Sequence, residues 1–293
     1  MEEGKGKKIA VVGLGLIGGS LALSLKHRGF AKKIIGVDAS TINEDRALEL
    51  GIVDQIESLD LAIKKSDIIV LAIPVDRTSE VLENVLDQIR PESVVMDMGS
   101  TKAAICSDVK SHPNRGRYVA VHPIAGTENS GPDAAFDGLF DEKVAIICDS
   151  IHSDSDSVEL AMDLLGTLNM RMTEMGSEAH DLHIAYVSHL SHISSFTLGQ
   201  TVLEMEKDEH NIFDMAGSGF ESTVRLAKSS PAMWAPIFEQ NSENVSRALE
   251  AQIKNLQAFK SMIDNRDKEG MHNLMTETNQ IRRVLDGIIL TKA

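Results

Sequence analysis

Cysteine and long apolar segments are both scarce in this chain of 293 residues. The two cysteines, Cys106 and Cys148, are too few for a disulfide framework and too far apart for a CxxC zinc site, so we expect a reduced, cytoplasmic protein. The longest apolar run, residues 68–74, is far too short to span a membrane. No apolar stretch follows the charged N-terminus, which argues against a secretory signal peptide.

Positive charge is also in short supply. Lys and Arg number 29 against 44 Asp and Glu, which gives a formal net charge of −15. This balance disfavours binding to nucleic acid or to an anionic membrane, since both require a basic surface. Apolar residues make up 42% and charged residues 25%, as in ordinary globular proteins, and the length fits one large or two ordinary domains.

Short runs rich in β-branched residues alternate with helical patterns as far as residue 175. These runs are almost continuously apolar, as in strands that are buried on both faces of a parallel sheet. Helical patterns lie between them, for example over residues 18–27, 78–88 and 157–168, which indicates a doubly wound, Rossmann-type α/β sheet. The predicted strands lie at residues 8–12, 34–37, 68–73, 94–97, 118–121 and 144–148, with a weaker one at 170–175.

Helical patterns dominate after residue 175. Residues 180–206 are predicted to form one long helix, and two apolar stripes with spacings of three and four follow at residues 245–263 and 274–288. We therefore predict a Rossmann domain over residues 1–175 and an all-helical domain over residues 176–293. The long stripes favour dimerisation through the helical domain; the alternative is that they form an intrachain core.

A glycine-rich turn follows the first predicted strand and precedes a helix. Its GxGxxG pattern comprises Gly13, Gly15 and Gly18. The first glycine permits a tight turn, the second lets a pyrophosphate approach the backbone, and the third allows close packing of helix on strand. Leu16 and Ile17 begin the helix, whose free N–H groups attract phosphates. The pattern in this context predicts a dinucleotide site; the alternative is a turn without a ligand.

Asp38 ends the second predicted strand, twenty residues after Gly18. A carboxylate at this place accepts hydrogen bonds from the adenosine ribose hydroxyls and repels a 2′-phosphate. No arginine follows it directly, so the sequence predicts NAD rather than NADP as the cofactor. The alternative role for Asp38 is that of a helix N-cap or turn residue.

Polar residues follow the fourth and fifth predicted strands, at the edge where open α/β sheets bind ligands. His122 is the candidate general base because its ordinary pKa lies near neutrality. Ser100, in the preceding loop, is the candidate to hydrogen-bond a substrate and to fix the tautomer of His122. The alternative for His122 is a structural histidine.

A second polar cluster lies in the helical half. His189 and His192 share one helix face at a spacing of three. A metal site is their alternative role, but no carboxylate or cysteine is evident to complete a tetrahedral ligand set, so we predict no metal. Arg225 is a planar, permanently charged donor that suits a carboxylate, and its alternative is an ordinary surface arginine.

With these residues in place, the sequence resembles the prephenate dehydrogenase family over nearly its whole length. One departure is Ser191, where the family usually has proline, and the segment around Arg225 also departs from the common form. The resemblance rests on GLGLIGGS at 13–20, LAIP at 71–74, DMGSTK at 97–102, HPIAGTE at 122–128, HD at 180–181, SHLSH at 188–192, and Arg225 with Met233 and Trp234.

The resemblance implies an enzyme of tyrosine biosynthesis that converts prephenate to 4-hydroxyphenylpyruvate with reduction of NAD⁺. It implies that His122 removes the proton of the C4 hydroxyl, that Ser100 binds this hydroxyl, and that Pro74 belongs to the cofactor site. It also implies a homodimer formed through the helical domain, and we expect no fused regulatory domain. The residues placed at the substrate side, as carboxylate anchors or as supporting and gating groups, are His189, His192, Arg225, Thr127 and Glu128.

Three other functions stay open at this point. Arogenate dehydrogenase performs the same chemistry on an aminated side chain, and an extra acidic group near the side-chain pocket would favour it. A dehydrogenase of another hydroxy acid has the same plan of domains but uses a lysine base in its helical half. A non-catalytic NAD-sensing module would bind the cofactor and have no need of Arg225.

Overall fold

The computed structural model describes residues 6–209 and 212–290, without the side chains of residues 208 and 288–290. The strands are β1 (Lys7–Val12), β2 (Ala31–Val37), β3 (Gln55–Ile56), β4 (Ile68–Leu71), β5 (Val94–Asp97), β6 (Tyr118–Pro123), β7 (Val144–Cys148) and β8 (Arg171–Met175). The helices are α1 (Leu16–His27), α2 (Thr41–Glu49), α3 (Leu59–Lys65), α4 (Val75–Gln88), α5 (Ala103–Asp108), α6 (Ser155–Thr167), α7 (Ser177–Ile184), α8 (Leu190–Glu209), α9 (Ser218–Val224), α10 (Pro231–Gln240), α11 (Ser242–Asp264), α12 (Lys268–Thr278) and α13 (Arg282–Leu290).

All eight strands form one sheet in the order β3-β2-β1-β4-β5-β6-β7-β8. Neighbouring strands are parallel except for β6 and β7, which are antiparallel. The predicted α/β class and the mainly parallel sheet are therefore confirmed. The antiparallel pair departs from a purely parallel arrangement, and the two-residue strand β3 had no counterpart among the predicted strands.

Side chains alternate along each strand, and the inner strands of the sheet are buried in two cores, one on each face. On β1, Ile9 and Val11 belong to the core that includes Leu21 and Leu25 of α1. Ala10 and Val12 belong to the opposite core, which includes Leu82 and Val85 of α4. This two-sided burial explains why the strand segments are apolar at almost every position.

Among the described residues after β8, all regular elements are helices, as predicted. The predicted helix over residues 180–206 is interrupted by a π-helical turn at Ala185–His189, which separates α7 from α8. The stripe at 245–263 lies on α11, whereas the one at 274–288 is broken by a 3₁₀ turn at Asn279–Ile281. No helix within the described residues is long and apolar enough to cross a membrane.

Two compact units divide the chain, one ending at Asn241 and the other beginning at Ser242. The sheet and helices α1 to α10 belong to the first unit, and α11 to α13 form the second. This division is based on compactness and lies well after the predicted domain boundary near residue 175. That boundary, which follows the change from sheet to helices, stays a proposal.

A buried ion pair joins the end of β5 to the loop that follows it. Lys102 is fully buried and its ammonium pairs with the Asp97 carboxylate, which is 1% exposed. The same ammonium donates to the carbonyl oxygen of Val121 at 3.0 Å. The Tyr118 hydroxyl donates to the other oxygen of Asp97 at 2.7 Å, and burial beside Asp97 raises the pKa of Tyr118, so this hydroxyl stays protonated.

The replacement Lys102→Met should destabilise the fold strongly, because it leaves the Asp97 carboxylate buried without its cation. Breaking such a pair from one side costs about 3–5 kcal/mol. Urea denaturation measures this loss as a lower midpoint. The matched control is Lys110→Met, at an exposed lysine, for which we expect a change within about 0.5 kcal/mol. Equal midpoints for the two variants would contradict a stabilising role for the buried pair.

Candidate active site

The glycine-rich turn lies where the strand order of the sheet reverses. β1 is bonded to β2 on one side and to β4 on the other, so the carboxyl ends of β1 and β4 border a crevice. Gly13 has φ +93°, and a Cβ atom at this position would lie 2.4 Å from the carbonyl oxygen of Ala72. Only glycine lets the turn lie against the segment that leads to Pro74, which caps the N-terminus of α4.

The other two glycines of the motif differ in what surrounds them. A Cβ on Gly18 would lie 1.9 Å from the Gly13 carbonyl oxygen, so this glycine is required for packing. A Cβ on Gly15 would meet nothing within 4 Å, so the space beside this backbone is open. Gly15 caps α1, whose first turn carries no acidic residue and has no side-chain cap. The turn and the helix N-terminus therefore fit a pyrophosphate.

Asp38 fastens the end of β2 to the glycine turn. Its Oδ2 accepts the backbone N–H of Leu14 at 2.8 Å, and its Oδ1 accepts the N–H of Ser40 at 2.9 Å. The Asn43 side chain donates to the same Oδ1 at 3.2 Å. A carboxylate has about four lone-pair sites and three of them are used here, so one site, on Oδ2, remains for a ribose hydroxyl.

His122 lies within β6, one residue beyond the end predicted for this strand, and pairs with Ile146 of β7. Its ring is buried, and its Nδ1 lies 2.8 Å from Nε2 of His180, on α7. Burial and the neighbouring His180 and Lys102 hold the pKa of His122 well below its usual range. His122 is therefore neutral at physiological pH, which is the state that accepts a proton.

Ser100 lies on the loop between β5 and α5, next to the strand that carries His122, but their predicted hydrogen bond is not among those of the described residues. Ser100 is partly exposed, and its neighbour Thr101 donates to the side chain of Gln240 at 2.7 Å. Gln240 in turn donates to the carbonyl oxygen of Val75 at 2.8 Å. These contacts tie α10 to the loop and to α4. The role of Ser100 stays a prediction.

His192 and Arg225 each have one main partner: the His192 ring contacts Trp234, and the Arg225 guanidinium lies near Glu128. The His192 ring stacks on Trp234 with centroids 3.5 Å apart, and its Nδ1 donates to the Ser188 carbonyl oxygen at 3.0 Å. Burial, with a smaller effect of the Arg225 charge, lowers the pKa of His192. Arg225 lies 3.6 Å from the Glu128 carboxylate. Its side chain is 53% exposed, so a ligand can reach the guanidinium from solvent.

His189 differs from His192 in being fully buried. Its Nδ1 lies 3.3 Å from the side-chain nitrogen of Asn241, and its ring packs edge-on against Trp234 and Phe238. Burial is the main cause that lowers its pKa to about 4. This placement supports the position of Trp234, whereas the predicted contact of His189 with a substrate stays untested.

The predicted gating residues lie on the loop after β6. Thr127 is exposed and accepts the N–H of Asn129 at 3.2 Å, and Glu128 is the partner of Arg225. Over the described part of the chain, no group of three or more His, Cys, Asp or Glu side chains is arranged to hold a metal ion.

Models of one protein family match most of the chain. The model described as "Prephenate dehydrogenase, nucleotide-binding domain" matches residues 21–174, and the one described as "Prephenate dehydrogenase, dimerization domain" matches residues 176–277.

The chain belongs to the prephenate dehydrogenase family.

Similar members of the family are known from sequence and structure. Prephenate dehydrogenase of Bacillus subtilis (strain 168) is 31% identical over 96% of this chain and 76% of that protein. The structure of prephenate dehydrogenase from Aquifex aeolicus with hydroxyphenyl propionate and NAD⁺ has a TM-score of 0.88 at 31% identity, covering 97% of this chain and all of the other. Arogenate dehydrogenase of Synechocystis follows with 0.76 at 27% identity, covering 95% and 99%.

Membership in the family confirms the predicted oxidoreductase with its NAD-binding fold. The roles of single residues rest on the geometry of this chain. Two groups next to His122, namely His180 and Asp181, were noted in the sequence only as part of a motif. Their adjacent placement in an HD pair signalled a hydrogen-bonded unit, but nothing in the sequence indicated that the unit contacts a strand 58 residues earlier.

The replacement Asp38→Ala should narrow the preference for NAD⁺ over NADP⁺. The carboxylate repels a 2′-phosphate and accepts from a ribose hydroxyl, so its loss lowers kcat/KM with NAD⁺ and raises it with NADP⁺. Steady-state kinetics with both cofactors measure the ratio. Asp45→Ala, on the exposed face of α2, removes the same charge nearby and should leave the ratio unchanged. Equal efficiency of the unaltered chain with both cofactors would contradict this role.

The replacement His122→Asn should lower kcat by about 10²–10⁴-fold, the usual contribution of one general base. Only the neutral ring accepts a proton, so activity is retained above the pKa of His122 and lost as the pH falls through it. Because that pKa is lowered, kcat should stay level well below pH 6.5. His27→Asn, at an exposed histidine at the end of α1, is the control. Unchanged kcat in His122→Asn would exclude this histidine from the mechanism.

Proposed function

We propose that this chain catalyses the oxidative decarboxylation of prephenate to 4-hydroxyphenylpyruvate, with reduction of NAD⁺, in tyrosine biosynthesis. The observation that carries the proposal is a buried, neutral His122 at the sheet edge of a chain whose two halves match the family. Gly13, Gly15, Gly18 and Asp38 hold the cofactor, with Leu16, Ile17 and Pro74 beside them. When bound, the nicotinamide supplies the hydride acceptor.

His122 has two tasks in this reaction, as its proton balance requires. It removes the proton of the C4 hydroxyl while the hydride leaves C4, which forms a carbonyl. The ring carboxylate then leaves as CO₂, and its bonding electrons make the ring aromatic with a negative oxygen. The protonated His122 returns the proton to this oxygen, so no net proton is released. Ser100 is proposed to hydrogen-bond the same oxygen.

The carboxylates of a dianionic substrate need local cations, because the chain as a whole carries −15. Arg225 is charged at every working pH and offers a planar pair of donors. His192 directs its Nδ1 proton to Ser188, so its Nε2 binds a carboxylate only after taking up a proton. We therefore infer that Arg225 is the main anchor and His192 the weaker one. Glu128 lies beside Arg225 and holds its guanidinium in place.

The alternative substrate is arogenate, on which the Synechocystis relative is named to act. Arogenate carries an ammonium where prephenate has a ketone, so an unpaired carboxylate in the side-chain pocket would favour it. Glu128 lies 3.6 Å from Arg225, and the positive guanidinium offsets the negative charge of the Glu128 carboxylate. This pairing supports prephenate as the preferred substrate.

NADH formation with prephenate and with arogenate, measured side by side, tests the function. We expect a higher kcat/KM with prephenate. Arg225→Ala should raise KM for prephenate at least tenfold, about 1.4 kcal/mol, and leave KM for NAD⁺ unchanged. Arg225→Lys should recover part of the loss, and Lys228→Ala, at a nearby exposed lysine, should behave as the unaltered chain. Turnover of neither substrate would refute the function, and a preference for arogenate would reassign it.

We also propose that the chain forms a homodimer through its helical half. The match to a model of a dimerization domain over residues 176–277 supports this. Helix α11 leaves large apolar side chains exposed, including Ile253 at 45%, Leu256 at 61% and Ile263 at 55%. Large apolar side chains grouped on an exposed helix are typical of a surface that a partner covers.

Light scattering should give a mass of about twice 31.9 kDa at micromolar concentration. Leu256→Asp places a charge on the apolar face of α11 and should shift the protein towards the monomer. Ala258→Asp adds the same charge about half a helical turn away, at another exposed position, and should change the mass much less. A monomeric unaltered chain would contradict the proposal.

A cytoplasmic location is proposed on the state of the cysteines. Cys106 and Cys148 are both buried and free of a disulfide. Burial raises the pKa of the Cys106 thiol to about 12, so it stays protonated and unreactive. Neither cysteine therefore forms the kind of disulfide that is usual in proteins of an oxidising compartment.

A further inference from the structure

The side chains of His122, His180 and Asp181 form a continuous row of hydrogen bonds. Nδ1 of His122 lies 2.8 Å from Nε2 of His180, and Nδ1 of His180 lies 2.7 Å from Oδ1 of Asp181. All three residues are buried, at 8%, 1% and 2% exposure respectively. The row links the end of β6 to α7, and its far end is a carboxylate.

The Asp181 carboxylate fixes the direction of the row because it acts only as an acceptor. Its Oδ1 accepts the backbone N–H of Lys102 at 2.8 Å, and its Oδ2 accepts that of Ala103 at 2.9 Å. The proton between Asp181 and His180 must therefore belong to Nδ1 of His180. A neutral imidazole carries one proton, so Nε2 of a neutral His180 has a lone pair.

The lone pair on His180 determines the tautomer of His122. A hydrogen bond between the two rings needs a proton, and this proton must lie on Nδ1 of His122. Neutral His122 then has its lone pair on Nε2, the nitrogen that faces away from His180. The opposite tautomer would set two lone pairs against each other at 2.8 Å in a buried site.

We propose that His180, held by Asp181, is a positioning residue that fixes His122 in the tautomer whose Nε2 accepts the substrate's proton. The inference rests on the proposed function, which gives His122 its task as a base. It replaces Ser100 with His180 as the group that orients the imidazole. The O–H bond of the substrate breaks, the N–H bond forms at Nε2 of His122, and the Nδ1 proton stays in place.

The Asp181 carboxylate partly offsets the cost of the charge that His122 gains, which burial and the His180 ring disfavour. When His122 is protonated, its Nδ1–H donates to a ring whose own proton is bound to a carboxylate, so negative charge lies at the end of the row. Lys102 also lies near His122, and its ammonium, although paired with Asp97, still disfavours this charge. Without Asp181, the His180 ring would be free to turn. It would then fix the tautomer of His122 less firmly and would offset less of the charge on protonated His122.

Nuclear magnetic resonance of the histidine side chains in the holoenzyme tests the tautomer directly. The ¹⁵N shifts distinguish a protonated from an unprotonated ring nitrogen, and the His122→Asn variant assigns the signals. We expect Nδ1–H and an unprotonated Nε2 for His122 in the unaltered protein at neutral pH. A proton found on Nε2 would overturn the inference. Since no substrate is needed, this result is independent of whether prephenate is turned over.

Two variants of His180 test the consequence for catalysis. Leucine in His180→Leu has no acceptor, so we expect a mixed His122 tautomer and a kcat lowered by about 10- to 100-fold. Glutamine in His180→Gln offers an oxygen to His122 and an amide N–H₂ to Asp181, so it should restore kcat to within about fivefold, as expected of an added hydrogen bond. KM for prephenate should change little in either variant. The control is His183→Leu, at an exposed position of the same helix.

The outcomes separate the positioning role from a purely structural one. If His180 only packs the interior, Gln and Leu should lower kcat alike and the His122 tautomer should stay fixed in both. That pattern would overturn the inference. If His180→Leu does not fold, the ¹⁵N shifts of His122 in the unaltered protein and the kcat of His180→Gln still test the positioning role. Turnover of neither substrate, with the tautomer as expected, would refute the proposed function and not the tautomer assignment.

Discussion

A lysine ammonium buried away from water has to be neutralised within reach of its side chain, and the sheet edge around the site is arranged by this requirement. Lys102 is bound by Asp97 and by the carbonyl oxygen of Val121, so the loop after β5 is fastened to β6 immediately before His122. The backbone N–H of Lys102 is held by Asp181 at 2.8 Å. One residue therefore sets the distance between the loop, the strand and helix α7, and the catalytic histidine lies where the three meet.

The sequence predicts well what depends on local periodicity and poorly what depends on partners distant in the chain. Strands buried on both faces are apolar throughout, so six of the eight could be located by composition alone, whereas the exposed edge strand Arg171–Met175 gave a weaker signal. The short strand Gln55–Ile56 has too few residues for a pattern. Strand direction leaves no trace in hydropathy, and so the antiparallel pairing of β6 with β7 could not be predicted. The 3₁₀ turn at Asn279–Ile281 contains no glycine or proline that would have marked it.

The site shows the same division. The glycine turn is predicted by its motif, and Asp38 and His122 are predicted by their positions at strand ends. Each of these signals lies within a few residues of the sequence. The partner of His122 is different, because His180 is 58 residues away and its contact exists only after α7 packs against the sheet edge. Ser100 was chosen for orientation because it follows the strand next to that of His122, and a shared sheet edge is a weaker guide than the packed fold. Glu128 and Arg225, nearly a hundred residues apart, meet for the same reason.

The π-helical turn at Ala185–His189 has a consequence for how the histidine motifs are spaced. In an unbroken α-helix, residues nine apart such as His180 and His189 point about 180° away from each other. Here the Asn241 amide nitrogen contacts the backbone carbonyl oxygen of Asp181, at 2.7 Å, and the His189 ring, at 3.3 Å. The wider turn absorbs an extra residue and so changes the direction in which the second motif points relative to the first. The residue count of this segment is thus constrained as tightly as the histidines themselves: a deletion of one residue here would rotate the second motif away while leaving its chemistry intact.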